Sequence, residues 1–206
     1  MDVYAAPQEV YKEKVDLIVP VYNGFEYLPK LFSSIKKTKM SYRLLITDDH
    51  SPDARVWPYL QSLSEKDPAI QLFRNEKNLG FVSTVNRMLE KIEGHAVLLN
   101  TDIELPEFWL ERMIQPIIQD EKVASVTPFS NAATLCSFPI IGLDNPLYES
   151  LSAEEIDQIF RTIRPAYPKL PTGVGFCMAL NHAAVQKVGL LDAETFEKGY
   201  GEENDW

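Results

Sequence analysis

Cysteine is scarce in this chain: Cys136 and Cys177 are the only two among 206 residues. They stand far apart with no second pair to complete a metal site, so both read as small buried hydrophobes rather than as a disulfide or a nucleophile. Long apolar runs are missing too. No stretch of about 18 apolar residues occurs, which leaves no membrane-spanning helix to assign. The opening Met1-Asp2-Val3-Tyr4 has neither the basic nor the apolar segment of a secretory signal, so a cytoplasmic location is the expectation. Cations are outnumbered, with 20 Lys and Arg against 30 Asp and Glu, a net charge of −10. That balance argues against nucleic acid, whose binding needs a basic stripe. An anionic small molecule stays compatible if a bound cation masks the carboxylates. Histidine offers no metal spacing either: His50, His95 and His182 stand alone.

What is present is ordinary globular composition, 45% hydrophobic and 24% charged, in a chain long enough for one continuous core. Short apolar runs alternate with helical periodicity. Val15–Val21, Arg43–Thr47, Ile70–Phe73, Ala96–Leu99 and Val123–Val126 read as strands. Between them Phe25 to Ile35, Val56 to Leu63, Phe81 to Ile92 and Trp109 to Ile117 repeat at helical spacing, and Pro106 suits the first turn of the last of these. This β–α alternation predicts a mostly parallel sheet flanked by helices. Right-handed crossovers then bring the ends of the first, second and fourth strands to one edge. Ala96–Leu99 is the best candidate for the centre of the sheet.

The pattern changes after Thr127. Residues 128–171 hold several prolines around one amphipathic helix from Ala153 to Ile163, with Ser152 as N-cap and Glu155 at the capping-box position. The segment reads as an insertion or lid. A strand at 175–180 follows, then a helix capped by Asn181 and ended by Gly189. Residues 192–206 read as loop. The expected organisation is an N-terminal extension over 1–14 and one domain over 15–206.

Polar clusters follow these strands, where ligands bind in open α/β sheets. They are Pro20-Val21-Tyr22-Asn23-Gly24, then Asp48-Asp49-His50-Ser51-Pro52-Asp53, Asn100-Thr101-Asp102, and Gly201-Glu202-Glu203-Asn204-Asp205 after a flexible Gly199-Tyr200. Asp48 sits on a strand end, where a carboxylate accepts hydrogen bonds from a base or ribose. Asp53 and Ser51 also suit helix capping. Asn100 and Asp102 are two apart on an extended segment and face the same way. A hard cation shared with substrate phosphates needs only one or two such groups. Glu202, Glu203 and Asp205 repel one another, which can raise a carboxyl toward the range useful for a general base, although a solvated acidic loop explains them equally well. Asn78-Leu79-Gly80-Phe81 opens a helix whose backbone N–H groups could meet a phosphate, although the segment by itself favours a plain helix start with Gly allowing the turn.

Together and in order, these segments, with Asn86 and Thr172-Gly173-Val174-Gly175, resemble the family 2 glycosyltransferases, which have the GT-A fold. The match runs over nearly the whole chain from Val15. Each motif is weak alone, and six in order are specific. The resemblance implies an inverting transfer of a sugar from a nucleotide-diphosphate donor (UDP-, dTDP- or GDP-sugar) to an acceptor hydroxyl, in cell-surface polysaccharide or glycolipid synthesis. It implies that Pro20, Val21, Tyr22, Asn23 and Asp48 line the nucleoside pocket, and that Asn78, Gly80, Asn100, Thr101 and Asp102 complete the nucleotide-sugar site. Asp102 would bind the divalent metal, Mg²⁺ or Mn²⁺. Glu203 would be the base, with Asp205 as second choice.

Two residues depart from the family pattern. Asn100 stands for the first Asp of the Asp-x-Asp motif, and Glu203 for the usual Asp of a Glu-Asp pair. Family members generally continue past the base, so the chain reads as truncated at Trp206. A saccharide or lipid-linked acceptor is implied, with peripheral contact at the inner face of the membrane. Two other readings stay open: a non-catalytic nucleotide-sugar-binding scaffold, and a sugar-phosphate nucleotidyltransferase. The second needs a Gly-rich basic loop after the first strand, and Tyr22-Asn23-Gly24-Phe25-Glu26 has no cation.

Overall fold

The computed structural model describes residues 14–133, 135–146, 151–163, 167–196 and 201–206. The expected N-terminal extension and the expected flexible Gly199-Tyr200 lie outside the described residues, apart from Lys14.

Strand β1 spans Val15–Val21, as its apolar run predicts, and is followed by helix α1 (Leu28–Ile35), β2 (Tyr42–Asp48), α2 (Val56–Ser64), β3 (Ile70–Arg74), α3 (Phe81–Leu89) and β4 (Ala96–Leu99). Then come α4 (Trp109–Gln119), β5 (Ser125–Val126), α5 (Ala153–Arg161), β6 (Cys177–Leu180), α6 (His182–Val188) and α7 (Glu202–Asp205). The six strands form one sheet in the order β3-β2-β1-β4-β6-β5. The first four are parallel, and β6 runs antiparallel between β4 and β5. The sheet is therefore mostly parallel, and β1 and β4 share its centre.

Register explains the two-sided core. Leu17 lies between Leu44 and Val97, and Ile18 between Leu45 and Leu98. Successive residues face opposite sides of a strand. The Leu17 row accordingly packs under α1, α2 and α4, and the Ile18 row packs against α3 and α6.

The helix ends divide into those that local chemistry specifies and those that it does not. Ser152 and Glu155 form the expected capping box, and the Asn181 side chain accepts from the Ala183 N–H. Helix α4 differs from expectation. It starts at Trp109 rather than around Pro106, because Phe108 adopts a left-handed conformation (φ 57°) that breaks the helix just ahead of it. Strand β5 is also shorter than expected, since Val123 donates to Asp120 in a turn. The stretch expected as loop near the chain end contains α7, whose last residue precedes Trp206.

Candidate active site

The C-terminal ends of β2, β1 and β4 lie side by side, so three of the polar clusters meet on one edge. Val21 is in register with Asp48, and the Asp49 N–H donates to the Val21 carbonyl at 2.7 Å. The turns beyond the first two strands are sewn together. Asn23 N donates to Ser51 Oγ (2.9 Å), Asn23 Oδ1 accepts from Asp53 N (3.2 Å), and Ser51 N donates to Asp48 Oδ1 (2.9 Å). Asn23 and Gly24 both have positive φ, 59° and 63°. A Cβ on Gly24 would stand 3.3 Å from the Tyr27 ring and 3.8 Å from Thr101 Oγ1, so this turn also approaches the end of β4.

The two adjacent aspartates after β2 behave differently. Asp48 is fully buried, and its Oδ2 has no hydrogen bond. Arg74 Nε lies 3.1 Å from that oxygen as its counter-charge, and the same guanidinium sits 4.9 Å from the centre of the Trp57 ring. Asp49 is saturated. It accepts from Asn75 Nδ2 (2.6 Å), Leu79 N (2.8 Å) and Gly80 N (3.0 Å). The Leu79 and Gly80 N–H groups donate to Asp49, in keeping with the plain helix start that the segment favours over a phosphate site. Asn78 Oδ1 also accepts from Gly80 N. Asp53 is committed as well: the Arg55 guanidinium and backbone N–H hold its carboxyl down at about 2.

At the β4 end, Asn100 N donates to the Phe176 carbonyl at 2.8 Å. Asn100 and Thr101 are half-buried and Asp102 is exposed. The Asp102 carboxylate has neither hydrogen bond nor ion pair among the described residues. No group of three or more His, Cys, Asp or Glu side chains gathers to enclose a metal among them. This donor set fits a cation that takes one protein carboxylate, completes its shell with substrate phosphates and water, and needs no all-protein cage. Pro20 and Val21 are largely covered, whereas Tyr22 is 52% exposed at the mouth of the edge.

Helix α7 reaches the same edge through the segment that precedes β6. Cys177 pairs with Leu99, so residues 172–176 run past the end of β4. Thr172 Oγ1 donates toward the Glu203 carbonyl (3.0 Å) and the Asn204 side-chain oxygen (2.9 Å). Glu202 is buried and Glu203 half-buried. Both border a small apolar cavity walled by Phe81, Leu98, Met178 and Trp206, and Trp206 Nε1 donates to the Gly189 carbonyl. Glu203 Oε2 is buried there without a hydrogen bond. Asp205 is exposed.

Arg74 and Trp57 were missed in the sequence. The available signal was a cation closing β3 beside a strand-end carboxylate.

Comparison with known proteins bears on this edge. The model of glycosyl transferase family 2 matches residues 16–189. A dolichol-phosphate mannosyltransferase of Pyrococcus furiosus is 27% identical over 180 residues, 86% of this chain and 49% of that protein. The chain thus spans about half the length of that relative. Among solved structures, a mannosyltransferase from Pyrobaculum calidifontis in complex with GDP-Man and Mn²⁺ superposes with a TM-score of 0.65 at 15% identity, covering 90% of this chain and 49% of the other. GalNAc-T7 with UDP, GalNAc and Mn²⁺ gives 0.69 at 16% identity, covering 93% and 39%. At these identities the structures establish the fold, which is GT-A.

Proposed function

The chain belongs to glycosyl transferase family 2, and on that premise we propose that it moves a sugar from a nucleotide-diphosphate donor to an acceptor hydroxyl with inversion at the anomeric carbon. The observation that carries this reading is the uncommitted Asp102 carboxylate on the sheet edge shared with Asp48. Relatives support the chemistry in outline: solved neighbours hold GDP-Man or UDP together with Mn²⁺.

The nucleoside lies over the ends of β1 and β2, with Tyr22 at its mouth and Asp48 beneath, its charge balanced by Arg74. The diphosphate lies at Asn100-Thr101-Asp102. Asp102 would hold the cation, whose charge would offset that developing on the departing nucleotide diphosphate. Asn100 brings no charge of its own, so Asp102 supplies the only carboxylate of that segment. Glu203 accepts the acceptor's hydroxyl proton as the oxygen bonds to the anomeric carbon and the bond to the diphosphate breaks. Its oxygen without a hydrogen bond, at the rim of an apolar cavity, supports Glu203 over the exposed Asp205.

The curated relative named for dolichol phosphate points to a lipid-linked acceptor class met at a membrane surface. Among the described residues no helix is long and apolar enough to cross a membrane. Acceptor chemistry and base are tested together by Glu203→Gln. With a hydroxyl acceptor, transfer falls by about 100-fold or more while donor binding is kept. With a phosphate acceptor, already ionised, the same variant stays near the parent rate, and that result rejects Glu203 as base.

A further inference from the structure

Helix α5 has no buried residue, yet it is docked. Its one aromatic, Phe160, packs on Phe129 and Phe138 with ring centres 5.6 and 5.0 Å away. Both partners belong to the same connection between β5 and β6, so that contact does not tie α5 to the rest of the domain. The ties are ionic. Arg112 of α4 clamps Asp157 with both terminal nitrogens (2.7 and 2.9 Å). Arg161 bridges Asp157 (2.7 Å) and Glu154 (2.6 Å). Paired geometry of this kind is the strong form of an ion pair. The partners are 14 to 34% exposed, so solvent screens them less than a free surface pair.

The cluster does not end at α4. Glu154 Oε2 accepts the backbone N–H of Glu107 at 2.7 Å. Arg112 also donates to the carbonyls of Phe108 (3.2 Å) and Glu107 (3.3 Å). The centre of the Phe108 ring lies 6.0 Å from the Lys39 ammonium and 5.6 Å from the Arg161 guanidinium. Phe108 gives α4 no side-chain cap of its own and holds a left-handed conformation. The turn that opens α4 is therefore built by groups on α5 and by an arginine that α5 orients.

That turn closes the loop that begins at Asn100-Thr101-Asp102. The loop is fixed at its start by Asn100 N on Phe176 and midway by the 2.8 Å Glu104–Lys30 pair and the buried Leu105. Its far end is fixed at Glu107 and Phe108, by α5. We infer that the Glu154–Arg161–Asp157–Arg112 cluster sets the course of the Asp102 loop, which makes Asp157 and Arg112 positioning residues for the donor site. The assignment of the donor site to Asp102 rests on the function proposed above.

The test compares the full chain with Asp157→Ala and Asp157→Glu, the second keeping the charge. Amide hydrogen exchange followed by mass spectrometry is read over residues 101–108, over α5 and over β4. UDP and GDP are titrated with and without Mn²⁺. In Asp157→Ala, residues 101–108 exchange faster together with α5 while β4 stays at the parent rate, and Asp157→Glu restores them. Affinity for the Mn²⁺-dependent nucleotide drops about threefold, as for a residue that acts through the intervening loop rather than on the ligand itself, and metal-free affinity is unchanged. Faster exchange in α5 with residues 101–108 at the parent rate overturns the inference. A parent chain whose nucleotide binding ignores Mn²⁺ overturns the donor-site assignment instead, and the exchange pattern still decides the coupling.

Discussion

Asp48 and Asp49 are consecutive, both buried, and have opposite duties. Asp49 spends its oxygens on three donors and so closes the Asn78-Leu79-Gly80 turn onto β2. Asp48 keeps one oxygen without a hydrogen bond beside Arg74. Removing the Asp49 carboxylate strands the buried Asn75 amide and two part-buried N–H groups, so Asp49→Ala should lower stability by about 3 kcal/mol. A shift of the urea midpoint measures that loss. If Asp49 were instead a ligand group, the variant would bind nucleotide poorly and melt like the parent. The sequence singles out Asp48 at the strand end but gives no sign of the Asp49 bonds, whose donors lie 26 to 31 residues further on. That Asp48 and Asp102 come to one edge of the sheet was legible from their places after apolar strands. Arg74 was not, since its role depends on β3 lying next to β2.

Among the elements, those with a complete local signal were readable and those shaped by distant partners were not. The β1 run, the β4 run, the Ser152–Glu155 box and the Asn181 cap each carry their own instructions. Helix α4 starts late because its opening turn is held from α5, some 45 residues on by the Arg112–Asp157 bond. Helix α7 has four residues, too few for a periodic pattern. The α5 docking also has a pH signature. Partial burial works to raise the Glu154 carboxyl, but the Glu107 N–H, the Arg161 charge and the Gln158 and Arg161 hydrogen bonds outweigh it and hold it below its ordinary value. A depressed carboxyl contributes fully above its unfolded value, about 4.3, and loses that contribution as pH falls through the folded one. The protection of α5 amides, taken against the intrinsic exchange rate at each pH, should therefore fall below that pH before that of β4 is affected. Parallel loss of protection in α5 and β4 would count against an ionic attachment.

For the whole molecule, the parallel half of the sheet brings acids from separate parts of the chain to one edge of a protein with a net charge of −10. A cation between the acidic edge and an anionic donor would offset their repulsion, so metal dependence is what the proposed donor site predicts. Isothermal titration of UDP and GDP with and without Mn²⁺, against the parent and Asp102→Ala, tests this most directly. The account predicts that the parent binds one of them tightly only with Mn²⁺, and that Asp102→Ala loses the metal-dependent part while remaining folded. Equal binding by parent and variant, or binding indifferent to Mn²⁺, would contradict a donor site built around Asp102.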